Sequence, residues 1–336
     1  MRCDAFYEKG LIKPLTRFGA VMLVYALAVA AVLVFDIIWV TLAGGLTAAL
    51  AACRLFIIAH DACHGSFTQN RLVNAIVGRL AFLPGLHNFS LWAYFHNGVH
   101  HRYTNLAGRD YVWVPLSWQE FPHLPRWRRL AERVFRHPTT LGFPLYYITR
   151  LWAPKLFLPF GRMPRHVRRR GFSDVALPLA FPILLTAGVL YAHLSDVEVN
   201  MLDLSLDLAA TVVVPFVIVS WAIGFVVYFN HTHPQIPWFR DAGRWRRDFH
   251  QFEGATMLRA KGIWHWLIPG AIMNHTAHHF DPRIPVGKLA TAHDYIAAKR
   301  NRPNQVWFWS PRKQWAVMRR CALFDYDEGE WQPFPR

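Results

Sequence analysis

The sequence predicts an all-α integral membrane protein: four transmembrane helices in two hairpins, with a cytoplasmic helical cap that gathers histidines into one site. Three observations carry this. Hydrophobic residues fill 53% of 336 positions, with 15 Trp and 25 Phe, which is rich for a soluble protein. Four apolar stretches are each long enough to cross a bilayer, since a helix rising about 1.5 Å per residue needs about 20 residues for a core of roughly 30 Å. Histidines recur at intervals of three and four residues outside those stretches.

The spans are expected at about 21–40, 43–59, 175–194 and 208–229, with the cap made of 60–174 and 230–336 in a single domain covering 1–336. Gly44-Gly45 reads as the turn of the first hairpin. Asp36 and Arg54 then stand at similar distances from that turn, so either the two pair within the membrane or Arg54 snorkels to its surface. Prolines in the later spans are tolerable where neighbours satisfy the freed backbone. Two weaker apolar stretches, 72–95 and 141–160, are broken by Arg79, Pro84, His87, Pro144, Arg150 and Pro154 and read as interfacial or embedded helices.

Charge sets the orientation. The loop 195–207 carries Asp196, Glu198, Asp203 and Asp207 without Lys or Arg, whereas 61–174 carries sixteen Lys and Arg. The positive-inside rule therefore places the large loops and both termini in the cytoplasm. The net charge of +16 suits nucleic acid or an anionic lipid surface, and the apolar stretches decide for lipid, so no nucleic-acid partner is expected. The basic segment 161–170, with Arg168, Arg169 and Arg170 consecutive, reads as a headgroup contact or an ordinary topology signal. Cys3, Cys53, Cys63 and Cys321 lack zinc-site or disulfide spacing, and the mixed charge of the first thirteen residues does not read as a signal peptide.

Nine of the 18 histidines form a pattern. His60 and His64 lie in HDACH; His96, His100 and His101 in HNGVHH; His275, His278 and His279 in HTAHH; and His231 in NHTHP at the end of the fourth span. Spacings of three and four put imidazoles on one helix face, and the span order delivers all four sets to one side of the membrane. Imidazole suits iron, zinc, copper or nickel, and nine ligands are too many for one ion, so two metals are inferred. Ligating rings commonly give their other nitrogen to an oxygen. Asp61, Asp110 and Asp281 are the nearest carboxylates, with Asp61 favoured and Asp281 equally a turn residue before Pro282. His233, two residues from His231, is a further hydrogen-bonding candidate. His87, His123, His137, His166, His193, His250, His265 and His293 are unclustered and read as surface or packing residues.

These motifs resemble the three histidine boxes of the membrane fatty-acid desaturases, HX3-4H, HX2-3HH and (H/Q)X2-3HH, in that order and with the same span order, from about Arg54 to about Ala292. The resemblance implies a di-iron centre held by His60, His64, His96, His100, His101, His231, His275, His278 and His279. It also implies O2 as co-substrate and desaturation of a long acyl chain carried on a lipid. The HTHP context of His231 and the histidine that opens the third box resemble the acyl-lipid, methyl-end branch. The spacing of the second box also occurs in related alkane hydroxylases. A lipid or alkane hydroxylase or a carotenoid ketolase therefore stays open, and a membrane zinc hydrolase is a more distant alternative. A carrier or transporter would place its polar groups within opposing spans.

No dinucleotide fingerprint, haem-attachment motif or iron–sulfur cysteine set occurs, so electrons must come from a separate donor, which the resemblance implies is a ferredoxin or a small b-type cytochrome. The basic surface around Arg126, Arg128, Arg129, Arg133 and Arg136 reads either as its dock or as a headgroup contact. Phe89, Trp92, Phe95, Trp264 and Trp266 stand near the boxes and read as a substrate path or as an interfacial aromatic belt. Short loops and the absence of a fused electron-transfer domain point to a bacterial cytoplasmic membrane.

Overall fold

A computed structural model of the chain describes residues 3–8, 10–194, 200–262, 273–300 and 306–335. Asp196, Glu198, Trp264, His265 and Trp266 lie outside the described residues. The described chain is mostly helical, with two small two-stranded sheets. Four helices are long and apolar enough to cross a membrane: Ile12–Val34, Ile38–His64, Arg165–His193 and Met201–His231. The second and fourth are 61% and 56% buried over their apolar windows, against 22% and 11% for the first and third, so the latter two present most of their surface to lipid. The stretches 72–95 and 141–160 give only shorter helical pieces.

The chain divides into two compact units, one of Glu8–Tyr94 and Trp152–Ala222, the other of Met1–Tyr7, Phe95–Leu151 and Ile223–Arg336. In the first unit the hairpin turn falls at 35–37, not at Gly44-Gly45, so 21–40 is not one helix. The two glycines lie inside the second helix because neighbours come too close for a side chain. A Cβ on Gly44 would stand 2.7 Å from Val32 Cγ2, and one on Gly45 would stand 2.9 Å from Ala210 Cβ. Asp36 therefore sits in the turn. Arg54 is sixteen residues past the start of the second helix, about 24 Å along its axis, so the two charges do not share a depth and do not pair.

The acidic loop is also shorter than expected. Met201–Leu208 is helical, with Asn200 Oδ1 accepting from Leu202 N as N-cap. Asp207 faces inward, accepting from Thr41 Oγ1 at 3.1 Å and lying 3.1 Å from His193 Nε2. The basic segment is likewise helical from Arg165, forming the start of the third long helix. Asp174 in that helix receives Arg79 Nε at 3.0 Å and Ser90 Oγ at 2.6 Å.

The second unit is built around Trp113, which is fully buried. It stacks on Tyr146 with ring centroids 3.6 Å apart, and its Nε1 donates to Gly224 O at 3.0 Å. Truncating such a side chain costs about 3–5 kcal/mol. Arg136 is buried beside it, donating to Val114 O at 3.0 Å and facing Glu132, so it is absent from the basic surface expected to include it. Burial pairs a guanidinium with carbonyls, a carboxylate and aromatic faces because an unpaired one there would be costly. Strands β1 (Met257–Arg259) and β2 (Val306–Phe308) pair in parallel, and β3 (Leu323–Asp325) and β4 (Glu330–Gln332) pair antiparallel.

Candidate metal centre

The second box lies in a π-helical segment, Tyr94–His100, where His101 N donates to His96 O at 3.0 Å. The wider turn absorbs the extra residue of the HX3HH spacing and still leaves His96, His100 and His101 close together, a common use of a π-bulge. His96 Nε2 and His101 Nε2 lie 3.2 Å apart. His231 is the last residue of the fourth long helix, whose final carbonyls are satisfied by residues further along the chain. Thr256 Oγ1 donates to Phe229 O at 2.9 Å and Thr256 N donates to Asn230 O at 2.9 Å. Trp238 Nε1 donates to His231 O at 3.1 Å. The third box is itself a short buried helix, His275–Phe280, so HTAHH places all three rings on adjacent turns.

Within this unit His100, His231, His275 and His279 converge. Each offers one ring nitrogen, and these four atoms all lie within 4.8 Å of one another, with all four residues buried. Hydrogen bonds fix the tautomer of three of the rings. His100 Nδ1 lies 3.0 Å from Asp110 Oδ1, and His231 Nδ1 lies 3.0 Å from Gly254 O. A carboxylate and a carbonyl only accept, so both Nδ1 atoms carry hydrogen. His279 Nδ1 lies 3.2 Å from Thr104 Oγ1, whose own hydrogen goes to His100 O at 2.7 Å, so the threonine accepts from this ring as well.

In the tautomer these bonds select, the free nitrogen of His100, His231 and His279 is Nε2, and all three Nε2 atoms are buried without hydrogen-bond partners. Four convergent imidazoles fit a transition-metal ion, and the oxygens behind three of them are what orient metal-ligating rings. Burial, and then the neighbouring rings of His101, His275, His231 and His100, hold His279 well below the ordinary histidine pKa, favouring the neutral form that coordinates. His278 adjoins a further group of rings in this unit, with its centroid 6.0 Å from His96 and 4.6 Å from His101.

In the other unit, His60 and His64 occupy the last turn of the second long helix, one turn apart, with ring centroids separated by 4.7 Å. Gly65, at φ +71°, ends the helix directly after His64, so the first box closes that span rather than following it. Trp92, buried, packs edge-on against His60 with centroids 5.4 Å apart, and Phe89 packs under Arg79. In the second unit, Phe95 packs on Tyr111.

Of the expected supporting residues, Asp110 reaches a box ring directly. Asp61 Oδ1 approaches His60 Nδ1 only to 3.6 Å. Asp281 engages Tyr7 Oη at 2.6 Å and Arg283 Nε at 2.9 Å. Burial alone would raise its pKa, but the hydrogen bonds from Arg283 and Tyr7 hold it below the usual carboxylate value. His233 turns away from His231, accepting from Gln235 N at 3.3 Å and packing on Trp307; burial, with Arg320 nearby, lowers its pKa to about 4. Sequence reading missed Thr104 and the Gly254 carbonyl. Thr104 had a usable signal, standing four residues after His100 where a threonine commonly bonds back to the helix. Gly254 had none, because every residue offers a carbonyl.

The fatty acid desaturase family model matches residues 37–311. The chloroplastic omega-6 fatty acid desaturase of Brassica napus is 28% identical over 296 residues, covering 85% of this chain and 60% of the relative. The Arabidopsis thaliana enzyme of the same name is 28% identical, with 85% and 59% covered. The sn-1 oleoyl-lipid 12-desaturase of a Picosynechococcus species is 28% identical over 284 residues, with 80% and 73% covered. The chain thus spans about 60% of the length of the plant relatives.

Proposed function

The chain belongs to the fatty acid desaturase family, and from that premise we propose that it is an oxygen-dependent acyl-lipid desaturase of the membrane. The observation that carries this reading is the set of buried Nε2 atoms without hydrogen-bond partners on His100, His231 and His279, with His275 completing the group. These four are the proposed ligands of one iron. His60, His64, His96, His101 and His278 are the proposed ligands of a second, on the strength of their box spacing. Iron bound there would supply the O2 activation that removing hydrogen from an unactivated methylene requires.

The chain's own residues do the rest. Asp110, Gly254 and Thr104 hold the three rings so that Nε2 faces inward, and burial of the rings keeps them dry. The whole of 1–336 acts as one functional domain in this proposal, with the boxes and both termini on the cytoplasmic side of a bacterial inner membrane. The asymmetry of basic residues between the loops supports that orientation. Electrons arrive from a separate ferredoxin or b-type cytochrome. The relatives named for oleoyl-lipid 12-desaturation make a lipid-esterified oleoyl chain the first substrate to test.

The experiment is mass-spectrometric profiling of lipids from a host expressing the protein, with and without oxygen, beside a His279→Ala control. An oxygen-dependent product two mass units lighter, absent from the control, is expected. A product sixteen units heavier would replace desaturation by hydroxylation, and an unchanged profile in a host rich in oleoyl lipids with a competent donor would overturn both.

A further inference from the structure

The helix Arg126–Phe135 buries Glu132 and Phe135 against its own unit, yet leaves large apolar side chains in water-accessible positions. Trp127 is 68% exposed, Leu130 64% and Val134 42%. Their spacing of i, i+3 and i+7 makes one continuous stripe along the helix. Arg126 and Arg129 lie along the edge of that stripe away from the buried face, as does Arg133, which also leans over Phe334 at 5.0 Å. A soluble surface would not retain such a stripe, and a protein–protein core would deplete the charge beside it.

The surroundings give the helix a membrane level. Just beyond it, Phe143 is fully buried against Gly224, where a Cβ would come within 3.1 Å of Phe143 Cβ. Gly224 belongs to the fourth long helix, seven residues before its end at His231, about 10 Å inside that end. Flanking Phe143, Leu141 is 80% exposed and Leu145 50%. The chain after the basic helix therefore runs beside the last turns of a membrane-spanning helix with apolar side chains facing outward.

We infer that Arg126–Phe135 is an in-plane helix of the bilayer surface, with Trp127, Leu130 and Val134 in the acyl layer and Arg126 and Arg129 on the phosphates of anionic lipid. A large amphipathic contrast with arginine on the polar side and tryptophan on the other is the composition that lies in an interface. Each arginine near an anionic surface adds attraction that salt weakens. This assigns the face to lipid, so an electron donor must dock elsewhere. The inference does not depend on the reaction catalysed.

The test uses the full chain in nanodiscs of phosphatidylcholine, with and without phosphatidylglycerol. Leu130→Cys and Val134→Cys carry an environment-sensitive fluorophore; Glu328→Cys, exposed in the turn before β4, is the control, and signal from the parent's own cysteines is subtracted. Labels at 130 and 134 should be quenched by nitroxide lipid and protected from iodide several-fold better than the label at 328. Phosphatidylglycerol should strengthen the lipid quenching, and an Arg126→Gln, Arg129→Gln background should erase that gain. Iodide quenching at 130 equal to that at 328 would overturn the inference. So would protection that appears only when a soluble donor is added, which would make this a protein-docking face.

Discussion

Replacing Asp110 by asparagine tests whether the oxygens behind the rings govern metal binding. Asp110 is buried and accepts on both oxygens: Oδ1 takes His100 Nδ1 at 3.0 Å, Tyr111 N at 2.7 Å and Val112 N at 3.3 Å, while Oδ2 takes Asn105 N at 2.9 Å. An asparagine of the same shape must place its NH2 against one of these donors. If the amide nitrogen faces Asn105 N–H, a buried donor is stranded, at about 1–3 kcal/mol. If it faces His100, the ring must accept at Nδ1 and move its proton to Nε2, the nitrogen needed by the metal. Losing such a partner typically lowers metal affinity about 10–100-fold, or roughly 1.4–2.7 kcal/mol. The assay is competition between purified protein and a chelator for Fe(II) under anaerobic conditions, with metal content read by mass spectrometry. Asp281→Asn is the control, because that carboxylate holds Tyr7 and Arg283 rather than a ring. Wild-type affinity in Asp110→Asn, or an equal loss in Asp281→Asn, would refute the reasoning.

Three other outcomes are expected. Thr104→Val should strand the buried Nδ1–H of His279 and weaken metal binding, at a cost of about 1–3 kcal/mol, whereas Thr104→Ser keeps both hydrogen bonds and should bind like wild type in the same competition. Gly45→Val should lower the yield of folded protein by overpacking against Ala210, about 1–3 kcal/mol, while Gly188→Ala, where nothing lies within 4 Å, should not; detergent-solubilised size-exclusion profiles compare them. His293, with Nδ1 2.5 Å from Thr276 Oγ1, is lowered to about 4, chiefly by burial, so the unfolded chain takes up its proton first as pH falls. Its contribution to stability is present above about 6.5 and lost on the way down to about 4. His293→Asn should therefore show a smaller drop in melting temperature than wild type between pH 7 and pH 5, and an equal drop would count against this role.

The histidine boxes were legible because their chemistry is periodic: rings three or four residues apart meet on an α-helical turn, and the π turn brings His96 and His101 together as well. The long apolar helices were legible for a similar reason, since length and hydropathy suffice. The first turn was misplaced because a glycine pair has two uses. Local sequence cannot separate a chain reversal from the close approach of Val32 and Ala210, which come from elsewhere in the chain. Arg136 reads as one arginine among several, and only its tertiary setting of Trp113, Val114 and Glu132 removes it from the surface. Proximity in sequence favoured Asp61 over Asp110. The fold adds Asp110 by distance, because a chain returning after ten residues brings its carboxylate to 3.0 Å from His100 Nδ1, while Asp61 Oδ1 stands 3.6 Å from His60 Nδ1.

The orienting bonds of the cluster and its ligands differ in reach along the chain. His100 finds Asp110 ten residues away and His231 finds Gly254 twenty-three residues away, whereas His279 lies 179 residues beyond His100. Short loops close at lower entropic cost than long ones. During synthesis the rings of His100 and His231 are thus aimed by neighbours already made, and the ring of His279 arrives last. A chain stopped just before His275 would hold two of the four converging rings, so the group is complete only when the third box has been made.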